Sequence, residues 1–430
     1  MFLFQYEKQG EGFMRRDITA DTWPAYRYIV PDTYTQAKVR LTGLGSSIPK
    51  GMITNDFFAY IATRLGYPRK GTDFERATGL SARCVRSCTL EQCRRIAGTD
   101  APGLIDDPMA FHDESLIDMA VAAAQHALAS AGREAPEVDM VIATSSSDNY
   151  IFPTIAGLVQ RQLGCRSIRA STLKGGCACI TEALQMAAEA LATSNVRVVL
   201  IVAAEAVIAN SVHILDWRSS LLFGEGASAF VLERGITQGD ETYAINGYNA
   251  HQAEVLWYQA LLHKDAREAV NIDQQILEMY QKSCGEQVDH LLAKYRMGYA
   301  SMSGKRVYED APQAMAECVD VLCRHAHLSP EELGSIVPHQ ANSRIVRRVG
   351  EVLMLEYGWP GNTSGKLADY FCSYGNLSNA SIGVALVEML RSQRLQPGQW
   401  IALPAAGGGF HYGCWLFQYQ GLKHSEVLVA

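Results

Sequence analysis

The sequence has no basic excess, no long apolar run and no low-complexity stretch, and each absence removes a class of function. Lys and Arg number 38 against 45 Asp and Glu, a formal net charge of −7 over 430 residues. The electrostatic footprint of a nucleic-acid binder is therefore missing. The longest apolar stretch, Val198 to Ala209, is interrupted by Glu205 and is too short to span a bilayer. Glu7 and Lys8 come too early for a secretory apolar region. The expectation is a soluble cytoplasmic protein with no membrane and no nucleic-acid partner. Eleven cysteines without an export signal argue for free thiols over a disulfide framework. Cys84, Cys88 and Cys93 cluster but lack a fourth ligand at short spacing, so no metal is expected.

What is present is alternation. Residues 1–37 show no clear period and read as an irregular extension. From Val39 onward, strand-like runs (Val39–Gly45, Val138–Thr144, Val196–Ala203, Phe230–Glu233) alternate with helical patterns (Asp113–Gly132, Cys177–Thr193). The logic repeats after residue 300, with helices at Ala311–Ala326, Asn342–Leu355 and Leu377–Arg391 and strands at Gly334–Val337, Trp400–Leu403 and Gly413–Gln418. Strands apolar on both faces, alternating with helices, predict an α/β fold whose sheets are covered by helices. Two such halves, 38–234 and 301–430, suggest an internal duplication around a helix-rich insertion at 235–300 that contains Gln275–Tyr295.

Three short segments carry the chemistry. Gly175-Gly176-Cys177 stands between a strand end and a helix. Glycines allow a tight turn that lifts the next side chain into the open. A cysteine at a helix N-terminus feels the positive end of the dipole, which favours the nucleophilic thiolate. Cys179, two residues further, points elsewhere. His339 follows a strand in the second half, and Asn376 precedes a helix of small residues. A Cys–His–Asn set suits acyl transfer followed by carbanion chemistry. The thiol takes an acyl group, and two fixed neutral donors hold the enolate oxygen of a second thioester, each worth about 3–4 kcal/mol. Asparagine donates at any pH, and histidine also moves protons.

These segments resemble the β-ketoacyl-acyl-carrier-protein synthase III family of the thiolase superfamily, from about Val39 to Tyr419. The likeness is carried by Ala77-Thr78-Gly79-Leu80, Phe152-Pro153-Thr154, Gly175-Gly176-Cys177-Ala178, Phe223-Gly224-Glu225-Gly226-Ala227, Val337-Pro338-His339-Gln340-Ala341-Asn342-Ser343-Arg344, Tyr374-Gly375-Asn376 and Ala406-Gly407-Gly408-Gly409-Phe410. The resemblance implies a thiolase-like, duplicated, five-layered α-β-α-β-α fold working as a homodimer. It implies Cys177 as the acylated nucleophile, with His339 and Asn376 assisting decarboxylation. It implies an oxyanion hole from the backbone N–H groups of Cys177 and Gly409. Phe152 would reach the partner's acyl pocket, Arg218 would flank an adenine, and Arg344 would dock carrier protein. No cofactor is implied, only acyl-coenzyme A or acyl-carrier-protein thioesters as substrates.

The sequence departs from the family where substrate is gripped. Ala77 replaces an arginine, although Arg76 is adjacent, and Glu309 stands at the place of a lysine. Both shift the expectation toward a carrier-bound substrate, with Arg347 and Arg348 extending the edge at Arg344. The extra length resembles ketosynthases that join two β-ketoacyl chains into cyclohexanedione or dialkylresorcinol rings. Glu182 is a candidate auxiliary base for such a closure, or a member of a polar network. The alternatives are a fatty-acid-initiating synthase and a catalytically silent subunit of a heterodimer, the latter disfavoured because all three residues are kept. Cys414 lacks the loop of a degradative thiolase. Gly361–Lys366 is neither a second asparagine motif nor a phosphate loop.

Overall fold

The computed structural model describes residues 33–106, 115–212 apart from 149 and 151, residue 214, 220–249 and 304–429, with short strands at 3–9, 12–18, 256–258 and 300–302. In chain order the strands are β1 (Leu3–Gln9), β2 (Gly12–Ile18), β3 (Thr35–Ser47), β4 (Gly51–Thr54), β5 (Ala82–Val85), β6 (Leu104–Ile105), β7 (Met140–Thr144), β8 (Arg169–Leu173), β9 (Val198–Ala206), β10 (Glu225–Arg234), β11 (Glu241–Tyr248), β12 (Leu256–Tyr258), β13 (Ala300–Met302), β14 (Leu333–Ile336), β15 (Trp400–Ala406) and β16 (His411–Gln418).

The duplication is written in the strand pairing. The first half orders its strands β8-β7-β9-β10-β3, with β7 parallel to both β8 and β9 and the remaining pairs antiparallel. The second half orders β14-β15-β16-β11, again with one parallel pair followed by antiparallel pairs. The counterpart of β8 is reduced to a single parallel bridge between Ile336 and Leu367. The two half-sheets join where Thr35–Lys38 of β3 pairs with β11.

Burial sorts the helices into layers. Helices Cys179–Thr193 and Ser381–Arg391 lie in one core with residues from both half-sheets, including Val199, Ile201, Leu403 and Trp415. Helices Leu116–Ala131 and Ile155–Leu163 pack on the outer face of the first half-sheet. Helices Gly304–His325 and Ser343–Glu356 cover the second. This is the five-layered α-β-α-β-α order. Helix Leu116–Ala131 is rich in alanine because β3 comes very close: a Cβ on Gly43 or Gly45 would sit 2.1 Å from the carbonyl oxygen of Ala127 or Ala123. Its start is fixed by a capping box between Ser115 and Asp118.

Three expectations change. The extension at 1–37 contains the antiparallel β1–β2 hairpin, with Leu3 opposite Ile18, and β3 already begins at Thr35; residues 19–32 lie outside the described residues. The insertion assigned to 235–300 contains β11, an integral strand of the second half-sheet. Its sequence over Glu241–Tyr248 has no clear period, and its buried residues form one continuous run. The expected helix, Gln275–Tyr295, lies outside the described residues, as does Arg218. Among the described residues no helix is long and apolar enough to cross a membrane.

Candidate active site

Three loops, one from the first half and two from the second, bring Cys177, His339 and Asn376 to the wall of one cavity of about 370 Å³. Cys177 lies in the turn before helix Cys179–Thr193, capped by Ala178. His339 follows β14, and its backbone N–H donates to the Pro404 carbonyl at 2.8 Å. Asn376 is pinned by its N–H to the Leu222 carbonyl at 2.8 Å and by its own carbonyl, which accepts from Gly224 at 3.1 Å. The approach of the loops demands glycine. Gly176 has φ 69°, and a Cβ there would lie 2.4 Å from the Gly408 nitrogen. A Cβ on Gly407 would lie 2.4 Å from the Cys177 nitrogen.

Each side chain is held in one orientation. Asn376 Oδ1 accepts from the Ser378 backbone N–H at 2.8 Å. That bond identifies the oxygen end and leaves the Nδ2 donors for a ligand. His339 Nδ1 lies 2.8 Å from Ser381 Oγ, and Ser381 Oγ in turn accepts from the Gln340 N–H at 3.3 Å. The Ser378 backbone carbonyl also lies against the ring. With the Ser381 hydroxyl donating to Nδ1, the ring's proton is on Nε2. Burial lowers His339 to about 4, with the Ser378 carbonyl opposing, so the ring is neutral near pH 7 and donates without carrying charge.

Cys177 differs from the expectation. Burial pushes its thiol up to about 12, the Ser378 hydroxyl at 3.3 Å opposes, and the charge of Glu205 adds to the rise. A thiol so raised holds its proton at neutral pH, and that proton must be taken from Cys177 when it reacts. Cys179 is 2% exposed and faces away, with Sγ 4.0 Å from His411 Nδ1.

The other assigned residues divide. Arg344 lines the cavity and is exposed at the start of helix Ser343–Glu356, with Arg347 exposed on the same helix. Ala77 lines the cavity as well, while Glu309 pairs at 3.7 Å with Lys305 on its own helix. Phe152 is 89% exposed and lies outside this protomer's cavity wall. Gly409 does not line the cavity. The loop places Gly407 and Gly408 on the cavity wall beside Cys177, whereas Gly409, at φ 69°, turns the chain away against Tyr248. Gly407 and Gly408, not Gly409, are the glycines of this loop that border the cavity beside the Cys177 turn. Glu182 too lies outside the cavity wall, with Oε2 3.7 Å from His411 Nε2. Cys179, Glu182 and His411 have potential ligand atoms within 4.8 Å of one another.

Sequence reasoning missed the polar floor beneath the nucleophile. Ser378 has φ 47°, a left-handed backbone that costs a non-glycine residue about 1–3 kcal/mol. That turn sets its hydroxyl against Cys177 Sγ at 3.3 Å and against Ser146 Oγ at 2.8 Å. Ser146 leads to Glu205, which is 0% exposed. The signal was a single carboxylate inside an otherwise apolar strand: a buried charge persists only when it is hydrogen-bonded.

Comparison with known proteins gives one family. Residues 173–250 match the family model for 3-oxoacyl-[acyl-carrier-protein] synthase III, and residues 323–419 match that for its C-terminal region. The chain is 30% identical over 325 residues to the β-ketoacyl-[acyl-carrier-protein] synthase III of Rhodospirillum rubrum, covering 74% of this chain and 90% of that one. It is 26% identical over 381 residues to that of Desulfotalea psychrophila, covering 89% and 99%. The fold is shared with the crystal structure of 3-oxoacyl-[acyl-carrier-protein] synthase III from Aquifex aeolicus, at TM-score 0.66 and 24% identity over 89% of this chain and 100% of that one. It is shared equally with a priming β-ketosynthase of the R1128 polyketide pathway, at TM-score 0.66 and 23% identity over 93% and 99%.

Proposed function

Since the chain belongs to the 3-oxoacyl-[acyl-carrier-protein] synthase III family and is a ketosynthase of that condensing type, we propose that Cys177, His339 and Asn376 perform a two-stage Claisen condensation in the cavity they share. In the first stage Cys177 Sγ attacks an acyl thioester, and the N–H groups of Cys177 and Gly408 receive the carbonyl oxygen as it becomes an oxyanion. Collapse expels the donor thiol and leaves an acyl group on Cys177. In the second stage a malonyl or β-ketoacyl thioester enters. Asn376 Nδ2 and the neutral His339 Nε2–H hold its thioester oxygen as the α-carbon gains carbanion character, by loss of CO2 from a malonyl unit or of an α-proton to water from a β-ketoacyl unit. That carbon attacks the acyl-Cys177 carbonyl, whose C–S bond breaks and returns Cys177 as its thiolate. The observation that carries this reading is the convergence of the three side chains, with orientation fixed for His339 and Asn376, on one largely apolar cavity.

The finer reading rests on departures at the mouth. Ala77 and Glu309 replace basic residues, while Arg344 and Arg347 present positive charge beside the opening. That combination favours a carrier-protein thioester over coenzyme A, in a specialised lipid or polyketide pathway, with ring closure of the product to a cyclohexanedione as its furthest extent. Initiation of fatty-acid synthesis uses the same two stages and ends in a linear β-keto thioester. The exposed Phe152 ring fits a homodimer, in which it would be covered by the second copy.

Intact-mass analysis tests the core of this reading. Acyl thioesters should add one acyl mass to the protein, mapped to Cys177, and an adduct elsewhere or none with any donor rejects it. Product analysis with β-ketoacyl carrier-protein thioesters tests the branch. A six-membered ring supports the specialised reading, and a linear β-keto thioester rejects it.

A further inference from the structure

Glu205 is the one acidic side chain within the wholly buried strand β9, and the two-stage condensation above gives it no task. Its carboxylate accepts from the Ser146 N–H at 3.1 Å, Ser146 Oγ at 3.0 Å, Ser147 Oγ at 2.5 Å and Asn379 Nδ2 at 2.7 Å. From Ser146 Oγ the contacts continue to Ser378 Oγ at 2.8 Å and to Cys177 Sγ at 3.3 Å. Carboxylate and nucleophile are thus joined through two hydroxyls.

The direction of this chain follows from counting hydrogens. A serine hydroxyl has one proton to give. When Glu205 is ionised, Ser146 gives its proton to the carboxylate and can only accept from Ser378. Ser378 then gives its own to Ser146 and can only accept from Cys177. With both hydroxyls turned this way the thiol S–H becomes the first donor of a one-way chain that ends on Glu205, whereas the contact as it stands has Ser378 Oγ donating to Cys177 Sγ, as in the reverse state. In the reverse state Glu205 carries a proton and gives it to Ser146, Ser146 gives to Ser378, and Ser378 gives to a bare Cys177 thiolate.

We propose that Glu205 is the terminal proton acceptor for Cys177, reached through the hydroxyls of Ser378 and Ser146. The step balances. The S–H bond of Cys177 breaks as its proton bonds to Ser378 Oγ, the Ser378 proton moves to Ser146 Oγ, and the Ser146 proton moves to Glu205 Oε2. The thiolate forms the new S–acyl bond as the donor S–acyl bond breaks. The proton returns along the same hydroxyls to the departing donor thiolate, so Glu205 ends ionised as it began.

His339 is the obvious competitor, and the geometry removes it. Its Nδ1 faces Ser381 Oγ at 2.8 Å, and with that hydroxyl donating, the ring's one proton sits on Nε2, the donor the second stage uses. It presents no lone pair to the thiol, and burial leaves it a weak base. Other ionisable groups near Glu205 are already engaged or shielded. Glu225, on the neighbouring strand, is held by Arg86 at 3.1 Å and Thr89. Asp148, beyond Ser147, is paired with Lys174. The Cys179 thiol, raised chiefly by burial with Glu182 and then Glu205 adding, turns toward His411. Burial raises Glu205 itself, opposed by Ser147, Asn379 and Ser146, which makes it a better base than an exposed carboxylate.

This inference rests on the reading that Cys177 is acylated, and the test separates the two. Ser146→Ala breaks the chain while leaving the carboxylate, and Glu205→Gln keeps the shape but cannot take a proton. Each is compared with the parent for three quantities: the rate of Cys177 acylation by hexanoyl-coenzyme A and hexanoyl carrier protein, the pH dependence of Cys177 alkylation by iodoacetamide, and the decarboxylation of malonyl thioester. The expected result for Ser146→Ala is acylation slowed by about tenfold or more, an alkylation midpoint moved upward by about one pH unit, and decarboxylation unchanged. Acylation at the parent rate, slower acylation without a pH shift, or an equal fall in both half-reactions overturns the proposal. If Glu205→Gln does not fold, Ser146→Ala decides alone. If the parent itself is never acylated, the functional reading fails and this inference with it.

Discussion

The two halves trace the same path and place different chemistry at its corresponding points. In the first half the central helix begins at Cys179, just past the nucleophile. In the second it begins at Ser381, after a short 3-10 turn at Ser378–Ala380 that follows Asn376. On the proposed reading one turn delivers an electron pair and the other delivers N–H donors. The strands beneath differ in the same sense. β9 carries the buried Glu205 with serines around it, while β15, Trp400–Ala406, carries no ionisable side chain. On the proposed reading the final proton acceptor lies in the first half and the donors for the enolate oxygen lie in the second, with Ser378 of the second half linking the two. The comparison teaches that a duplicated core can stay nearly symmetric while a few residues at strand ends and helix starts divide a reaction between the copies.

Breaking one side of this division should leave the other standing. Cys177→Ala should lower condensation by about 10⁴-fold or more, with no acyl adduct by mass, while malonyl decarboxylation survives. Asn376→Ala should do the opposite. Decarboxylation should fall about 10²–10³-fold, while Cys177 acylation stays within a few-fold of the parent. Equal losses in both half-reactions for either variant would end the assignment of separate roles to the two halves.

A smaller effect sharpens the comparison through pH. His339 sits at about 4 in the folded chain against a usual 6.5. Between those values the unfolded chain holds a proton that the folded one refuses. The contribution is therefore fully present above 6.5 and is lost as pH falls toward 4, by about 3 kcal/mol. His339→Gln should flatten that dependence, read as the difference in urea midpoint between pH 7 and pH 4.5. A slope equal to the parent's would show that His339 is not a buried neutral ring. The least of the effects concerns the seam between the halves. Gly176→Ala forces a Cβ against Gly408 at a positive φ and should cost about 2 kcal/mol, measured as a lower melting temperature. An unchanged melting temperature would mean that the two loops do not approach as closely as described.

Much of the architecture was legible before any coordinates. Strands such as Val138–Thr144 and Val196–Ala203 and helices such as Asn342–Leu355 bury a continuous face, so their periodicity is strong and their ends fall within a few residues of those observed. The boundary between the halves was less legible. β11 is a short strand without a clear period, and its partner β16 is far away in sequence. The hairpin at Leu3–Gln9 and Gly12–Ile18 was missed because its sequence alternates weakly.

The sequence alone determined which three residue types stand after which elements, because local turn chemistry and apolar period fix a strand end, a glycine turn and a helix start without reference to the rest of the chain. Only the tertiary structure decided what those residues meet. Contact between Gly176 and the Ala406–Phe410 loop set Gly408, and not Gly409, beside Cys177, since a run of three glycines has no local register. Packing of helix Cys179–Thr193 between two sheets turned Glu182 toward His411 and out of the cavity. Burial of β9 made Glu205 part of the floor under the nucleophile. In each case the deciding quantity was distance through space between segments remote in sequence, and local pattern carries no information about that distance.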